Sequence, residues 1–389
     1  MMIILVRYGE IHLKGQNRPF FERLLLNSLR DAVSGFEGVT VERGDGRYYV
    51  ENFSDRDLED IINALKKVFG VHSISPAREI SKDLDSIAEE AILQMDEYIL
   101  EHGRKTFKVE TKRSDKRFPM NSNEISREIG GKLLDHDPEL KVDIHDPGMR
   151  VFIEIRDKAA YVYTKVIMGQ GGMPTGSSGK AMLLVSGGID SPVAGYMIAK
   201  RGVRLSAVHY YSYPYTSERA RDKVIDLTRI LCSYAGPIDL YLVHFTDIQM
   251  AIYEKCPHQH LTLIMRRFMM RIADILARKH KLQALITGES VGQVASQTIE
   301  SLMCTDAVAD LPVFRPLIGM DKSEIIERAE SIGTFETSIL PYEDCCTVFV
   351  PKHPTTKPDI QKIEESEKVL DAEALIRDAL EKTEVLHLS

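Results

Sequence analysis

The sequence predicts a multidomain protein of mixed α/β and α+β class, with two small α+β units followed by a parallel-sheet domain. Three observations predict it. At 389 residues the chain exceeds what one hydrophobic core ordinarily organises. Up to about residue 165 strand and helix patterns mix irregularly. After residue 180, short apolar runs alternate with helical stretches, as in a parallel sheet covered on both faces. Between the two regimes lies "GQGGMPTGSSGK" (169–180), whose five Gly, two Ser, one Thr and one Pro make it the strongest linker signal in the chain.

The elements follow in order. Residues 2–8 read as an apolar strand, and "RPFFERLLLNSLRDAV" places Phe20, Leu24 and Leu25 at helical spacing. "VTVERGDGRYYVEN" reads as two strands about a Gly-Asp-Gly turn. "SDRDLEDIINALKKVFGV" is a helix with Ser54 as candidate cap and Gly70 as its stop. The second unit opens with the helix "DLDSIAEEAILQMDEYILEHG" and the strand "TFKVETKRS". A further helix follows, capped by Asn121 or Ser122, then strands in "KVDIHD" and a hairpin in "RVFIEIRDKAAYVYTKV". Beyond the linker, "AMLLV", "RLSAVHYY", "IDLYLVHF" and "ALITGE" are the sheet strands, and ligands of such sheets bind beyond the strands' carboxyl ends.

Composition excludes several classes. Apolar content of 43% with 28% charged residues describes a globular, water-soluble chain, and no apolar stretch is long enough to span a membrane. The amino terminus lacks a signal-peptide pattern, and five scattered cysteines suit a reducing compartment. A cytoplasmic location with no membrane partner is the expectation. The net charge of −8 conceals an uneven distribution. Segment 104–117 holds seven Lys or Arg against two acids, and 260–282 holds six against one, while 359–389 holds nine acids against four bases. An isolated basic stretch is most often a solvated face, yet the distribution leaves room for a local phosphate-binding surface.

The chemistry is concentrated in "LLVSGGIDSPVAGYMIAKRG" (183–202). Gly187 and Gly188 let the backbone approach an anion, Ser186 and Ser191 add hydroxyls, and the helix opened near Pro192 directs N–H groups at bound charge. A plain strand-to-helix turn explains the glycines but not the whole Ser-Gly-Gly-x-Asp-Ser pattern. The G-x-x-x-x-G-K-[ST] loop is absent, which disfavours a kinase or GTPase cradle. The pattern resembles the loop of the ATP pyrophosphatase (PP-loop) superfamily, whose members cleave ATP between the α and β phosphates. That resemblance implies that Ser186, Gly187, Gly188, Asp190 and Ser191 hold the phosphates, with Asp190 near Mg²⁺.

Further stretches narrow the resemblance. "YGEIHLKGQNRPFFERLL" (8–25), "FKVETKRSDKRFPMNSNEI" (107–125), "TGESVGQVASQT" (287–298), "RPLIGMDKSEII" (315–326) and "PYEDCCTVF" (341–349) look like signatures of the tRNA 4-thiouridine synthetase, or thiamine-biosynthesis sulfurtransferase, family. The likeness is collinear over nearly the whole chain. It implies a ferredoxin-like domain at 1–60, a THUMP RNA-binding domain at 61–165, a linker at 166–180 and a Rossmann-like PP-loop domain at 181–389. It further implies that Leu184, Val185, His209 and Tyr210 border the adenosine, and that Arg266, Gly288 and Gln297 complete an ATP pocket. Lys322 then neutralises charge at the attacked α-phosphorus. On the same resemblance Cys345 matches the family's sulfur-handling cysteine. The implied reaction adenylates O4 of uridine 8 of tRNA and replaces it with persulfide sulfur from a cysteine desulfurase or another donor. Lys108, Lys112, Arg113, Lys116 and Arg117 are the expected tRNA contacts, and a homodimer is the expected assembly.

The adjacent Cys345 and Cys346 stand ~3.8 Å apart at Cα, less than the usual disulfide span of roughly 4.4–6.8 Å, so a bond between them makes a poor structural staple. Some family members carry an additional rhodanese domain that bears the persulfide. Here the sequence runs to Ser389 through an acidic, helix-patterned tail, and a short form without that domain is the expectation. Sulfur then arrives on Cys345 or Cys346, or from an external carrier, and a role in thiamine synthesis is weakened. The pair lacks Cys-x-x-Cys spacing for a cluster, and "CPHQH" (256–260) lacks the spacing of a structural zinc site, so no metal ligands are assigned. Cys232 and Cys304 read as packing residues. Two other classes compete: a PP-loop amide-forming synthetase acting on a small carboxylate, and a tRNA-binding protein without catalysis. The basic stretch in the second unit opposes the first, and the intact loop with Lys322 and Cys345 opposes the second.

Overall fold

One sheet runs through the whole of the first unit, Met1–Gly172, and a second organises Met173–Ser389. The computed structural model describes residues 1–294, 296–342 and 355–389.

In the first unit the chain forms β1 (Met2–Tyr8), α1 (Arg18–Ala32), β2 (Thr40–Gly44), β3 (Arg47–Glu51), α2 (Leu58–Lys67) and β4 (Val71–Ile80). It continues through α3 (Leu84–His102), β5 (Thr106–Arg113), α4 (Ser122–His136), β6 (Lys141–Val142), β7 (Met149–Ile155), β8 (Ala160–Tyr163) and β9 (Ile167–Met168). The strand order is β2-β3-β1-β4-β8-β7-β5-β6, with β9 also on β4. β4 is the seam: it pairs antiparallel with β1 along one edge and with β8 and β9 along the other. The 60/61 boundary inferred from sequence therefore falls inside α2, and the strand after that helix serves both halves.

Local chemistry explains the elements. Asp45 and Gly46 take positive φ values of 50° and 74°, which closes the β2–β3 hairpin with a tight two-residue turn. Asn121 is the cap of α4, in a reciprocal capping box with Glu124. α1 departs from its apolar pattern: Leu25 and Leu29 are buried, but Phe20 is 43% exposed and Glu22 lies inside. Glu22 can be buried because Tyr8, Arg18 and Arg43 all donate to its carboxylate. The strand expected over "KVDIHD" is confined to Lys141–Val142, because Asp143 turns the chain by accepting from the N–H groups of His145 and Asp146.

The second unit comprises β10 (Lys180–Leu184), α5 (Asp190–Ala199), β11 (Arg204–Tyr211), α6 (Glu218–Ala235), β12 (Ile238–His244), α7 (Thr246–Lys255) and α8 (Leu261–Lys279). β13 (Leu285–Ile286), α9 (Ile299–Asp306), β14 (Val313–Phe314), α10 (Lys322–Ser331) and, last, β15 (Glu384–Leu388) follow. The order β14-β13-β10-β11-β12-β15 is parallel except for β15, which returns antiparallel on β12. β10 has later strands on both sides, so the strand order reverses beside it, and a ligand crevice is expected at its carboxyl end.

The division between the units falls within the expected linker 166–180, and two segments gain detail here. The Gly-rich stretch is packed on both sides of the division at Gly172. A Cβ on Gly169 would lie 2.4 Å from the Val71 carbonyl oxygen, and Gly171 N donates to that same oxygen. Glycine serves close approach there. The acidic tail is likewise built into the domain. Glu367, on the helix Ile360–Glu367, is buried against Arg267 and Arg271 of α8, so part of the 260–282 basic run faces its own chain. Among the described residues, no helix is long and apolar enough to cross a membrane.

Candidate active site

The loop after β10 folds around its own hydroxyls. Ser186 N donates to Ser191 Oγ at 2.9 Å, the two hydroxyls stand 3.1 Å apart, and Ser191 Oγ also donates to the Ser186 carbonyl at 3.3 Å. Ser191 thereby clamps the loop to the first turn of α5. Gly188 N reaches Ser186 Oγ at 3.4 Å. Gly288, after β13, crosses this turn so closely that a Cβ there would sit 2.7 Å from Ser191 N and 2.8 Å from the Asp190 carbonyl carbon. Both contacts are backbone, which no side-chain rotation relieves.

A crevice of about 310 Å³ opens at this point, at the carboxyl ends of β10, β11 and β13. Of the residues expected at an ATP pocket, Leu184, Val185, Ser186, Asp190, Ser191, His209, Tyr210, Arg266, Gly288 and Gln297 line it. Gly187 and Gly188 form the loop's apex between lining residues. His209 is buried with Nδ1 3.1 Å from the Val185 carbonyl, and the Tyr210 hydroxyl donates to the Met269 carbonyl at 2.5 Å. Lys322 opens α10, behind the cap Asp321, and its ammonium contacts Asp190 Oδ1 at 2.6 Å. Gln293 Nε2 donates to the other carboxylate oxygen at 2.9 Å. Cys345 and Cys346 lie outside the described residues.

Charge in the crevice is ordered by a residue the sequence did not single out. Glu289 is buried, receives Arg315 Nε at 2.7 Å and the Thr287 hydroxyl at 2.8 Å, and pairs with Arg266. Arg266 also donates to the Ser296 carbonyl at 2.7 Å. A carboxylate between two guanidiniums fixes both planes, so Arg266 is aimed before any ligand arrives.

Three comparisons with known proteins bear on this site. Residues 176–372 match the model of the Thiamine biosynthesis protein (ThiI) family, 3–75 its ferredoxin-like domain, and 81–165 the THUMP domain. A probable tRNA sulfurtransferase of Acetivibrio thermocellus is 56% identical over 388 residues, covering 100% of this chain and 99% of that one. The chain belongs to the ThiI family. A second probable tRNA sulfurtransferase, from Thermoanaerobacter pseudethanolicus, is 54% identical over 97% of each chain. Among solved structures, a 4-thiouridine synthetase in complex with RNA and with bound ATP superposes at a TM-score of 0.92, with 36% identity and 100% of both chains covered. The ferredoxin-like, THUMP and PP-loop organisation read from the motifs is that of the ThiI family.

The crevice also contains residues that sequence reasoning passed over. Thr262, Met269 and Met270 join Arg266 from one face of α8, at the i, i+4, i+7 and i+8 spacing that would have revealed them. Glu289, Gln293 and Arg315 stand inside motifs quoted for the family, but the Glu289–Arg315 pair and the Gln293–Asp190 contact join segments far apart in sequence. Elsewhere, Cys256 donates to the Ser366 carbonyl and His260 pairs with the Ser366 hydroxyl, so "CPHQH" anchors a helix. Burial pushes the Cys232 thiol up to about 11 and raises Cys304, which suits packing residues rather than nucleophiles.

The basic stretch of the THUMP region is divided by its contacts. Arg113 donates to the carbonyls of Phe118 and Met120, at 2.8 and 3.1 Å, and so shapes the loop after β5. Arg117 pairs with Asp115 and Asp157, and Lys108 with Glu110 at 3.2 Å. The Arg117 and Lys82 partners hold the Asp115 carboxyl well below the usual range. Lys112 and Lys116 are exposed.

Proposed function

We propose that this chain is an ATP-dependent tRNA sulfurtransferase that converts uridine 8 of tRNA to 4-thiouridine and releases AMP and pyrophosphate. The observation that carries the reading is the full-length likeness to a 4-thiouridine synthetase that binds RNA and ATP, and the Ser186–Ser191 loop with Lys322 at its mouth is consistent with it.

In this reading adenosine packs against Leu184, Val185, His209 and Tyr210, with Arg266, Gly288 and Gln297 closing the pocket. Ser186, Gly187, Gly188 and Ser191 receive the phosphates through N–H and hydroxyl donors. Asp190, a hard oxygen donor at the loop's end, is the residue that would hold Mg²⁺, and the ion would offset charge on the ATP phosphates. Lys322 reaches the same point and stabilises charge on the α-phosphoryl group as the uridine O4 attacks it and pyrophosphate leaves.

Adenylation makes a leaving group of an otherwise unreactive carbonyl oxygen. The terminal sulfur of a persulfide then attacks C4 and AMP departs. An incoming thiolate breaks the remaining S–S bond, leaving sulfur on C4 and joining the two other sulfurs in a disulfide. Cys345 is assigned to this sulfur chemistry. The persulfide comes from a cysteine desulfurase or an equivalent donor, and a homodimer supplies one RNA-binding arm and one catalytic pocket to each tRNA. Within the arm, exposed Lys112 and Lys116 make phosphate contacts. Lys108, Arg113 and Arg117 remain in the proposed tRNA-binding set, and Arg113 also shapes the loop.

The test is thiolation of unmodified tRNA with ATP, Mg²⁺ and a persulfide donor, read by the near-ultraviolet absorbance of thiouridine. Asp190→Ala and Cys345→Ser abolish the gain, and Cys346→Ser decides whether the second cysteine takes part. Parental activity in Cys345→Ser removes the cysteine assignment. RNA binding without thiolation under any donor favours a binding-only protein. Pyrophosphate exchange dependent on a small acid rather than tRNA favours an amide-forming synthetase.

A further inference from the structure

A second cavity lies one strand along from the ATP crevice, on the same carboxyl edge of the sheet. It has a volume of about 220 Å³ and sits where β11 and β12 end and α6 begins. Its wall combines Tyr211, Tyr213, His244 and Arg221 with the hydroxyls of Thr216 and Ser217. Tyr211 meets His244 edge to face, ring centres 5.3 Å apart, and the Arg221 guanidinium lies over the Tyr211 ring at 6.0 Å. Tyr213 is 58% exposed. His244 Nδ1 and Arg221 Nε are buried without a hydrogen bond among the described residues. Buried polar atoms without a partner are costly, so these two groups make the wall more polar than its aromatic rings suggest.

Charge decides the kind of ligand. Arg221 already donates to Glu384 at 3.1 Å, and Glu218 lines the same cavity. Ser217, the cap of α6, occupies the Ala220 N–H. Two carboxylates offset one guanidinium, so a phosphate is disfavoured. A neutral planar group with donors and acceptors on its edge is favoured, and aromatic side chains stack such groups regardless of sequence.

The geometry points to this cavity as the seat of one unstacked nucleobase of the RNA substrate, the neighbour of the uridine presented to ATP. The inference rests on the tRNA-thiolation reading. The reacting uridine must bring O4 to the α-phosphate, in the first crevice. Drawing it out of its stack exposes the base beside it. A ring seated at Tyr213 compensates that loss, one strand away on the same edge.

The test uses the full chain with tRNA carrying 5-iodouridine on either side of the target. Irradiation is expected to cross-link a flanking base to the peptide containing Tyr213. Tyr213→Ala removes that cross-link and lowers kcat/KM for thiolation at least about tenfold, with ATP affinity and overall tRNA affinity held. Tyr213→Phe recovers most of it, because the ring is kept. Flanking cross-links confined to other peptides, with Tyr213→Ala as active as the parent, overturn the inference and leave the thiolation reading standing. A Tyr213→Ala defect that disappears when inorganic sulfide replaces a protein donor assigns the cavity to the donor and also overturns it. Absence of thiolation by the parent chain strikes the underlying functional reading itself.

Discussion

Asp190 accepts two donors at once, Lys322 on one carboxylate oxygen and Gln293 on the other. In the proposed reaction Asp190 would share its oxygens with the metal ion, and Lys322, 2.6 Å away, would serve the phosphates. Lys322→Met should therefore lower kcat for thiolation by roughly 10²–10³, the usual loss of one oxyanion donor, with ATP affinity nearly unchanged. Single-turnover thiolation measures it, and an unaltered rate would remove the assigned role. Gly288→Ala tests the close crossing of the loop. Its methyl meets backbone at 2.7 Å, so overpacking is expected to cost about 1–3 kcal/mol and to weaken ATP binding, both readable by thermal shift with and without nucleotide. Residues 184–191 cluster because a loop and its strand are contiguous in sequence, whereas His209, Tyr210, Arg266, Gly288, Gln297 and Lys322 reach the same place only through the fold. Glu289 escaped notice because its significance comes from Arg266 and Arg315, each more than twenty residues away.

β5 and the loop after it show how far charge counting reaches. The seven cations of 104–117 look equivalent in sequence, but Arg113 is bound to its own loop, Arg117 is exposed yet paired with Asp115, and Lys112 and Lys116 are exposed. Lys112→Gln combined with Lys116→Gln should weaken tRNA binding across sequences and flatten the salt dependence by about two units of log–log slope. Filter binding at several ionic strengths decides it, and an unchanged slope excludes these lysines as phosphate contacts. Arg113→Gln should instead loosen the 114–120 loop, seen as faster amide exchange there. In α8 the same lesson recurs: Arg267 is 2% exposed and bound to Glu367 from the tail, so this cation stabilises the domain instead of meeting RNA.

The first unit holds together around Glu154, a 1%-exposed carboxylate on β7. It meets Arg7 of β1 at 3.1 Å, Arg47 of β3 at 2.5 Å, Arg156 at 2.5 Å and the Tyr163 hydroxyl at 2.8 Å, so strands from both halves of the sheet converge on it. Burial raises its pKa, but Arg47, Arg156 and Arg7 outweigh that and hold it far below the ordinary 4.5. A depressed folded-state pKa gives stability that is complete above 4.5 and lost as pH falls toward the folded value. Acid denaturation of the first unit should therefore be pronounced below pH 4.5. Glu154→Gln should cost about 3–5 kcal/mol at neutral pH and flatten that acid limb, as followed by denaturant melts. A variant as stable as its parent at pH 7 would show that the arginines find other partners.

The α/β alternation after residue 180, the hairpin at Asp45–Gly46, the caps and the Ser186–Ser191 loop were all legible in the chain, because each depends on residues near one another in sequence. Periodicity and turn chemistry act over a few positions, and a strand-to-helix loop carries its whole donor set within six residues. Assembly over longer distances was not legible. That β4 fuses two α+β halves into one sheet, that β15 returns to β12, and that Glu367 covers α8 are outcomes of pairing between distant segments. The same holds for the charge on Lys322, which acquires meaning only where Asp190 stands 2.6 Å away, 132 residues earlier in the chain. Local propensity selects the pieces. Burial of their apolar faces, and of the ion pairs that must be satisfied with them, selects the arrangement.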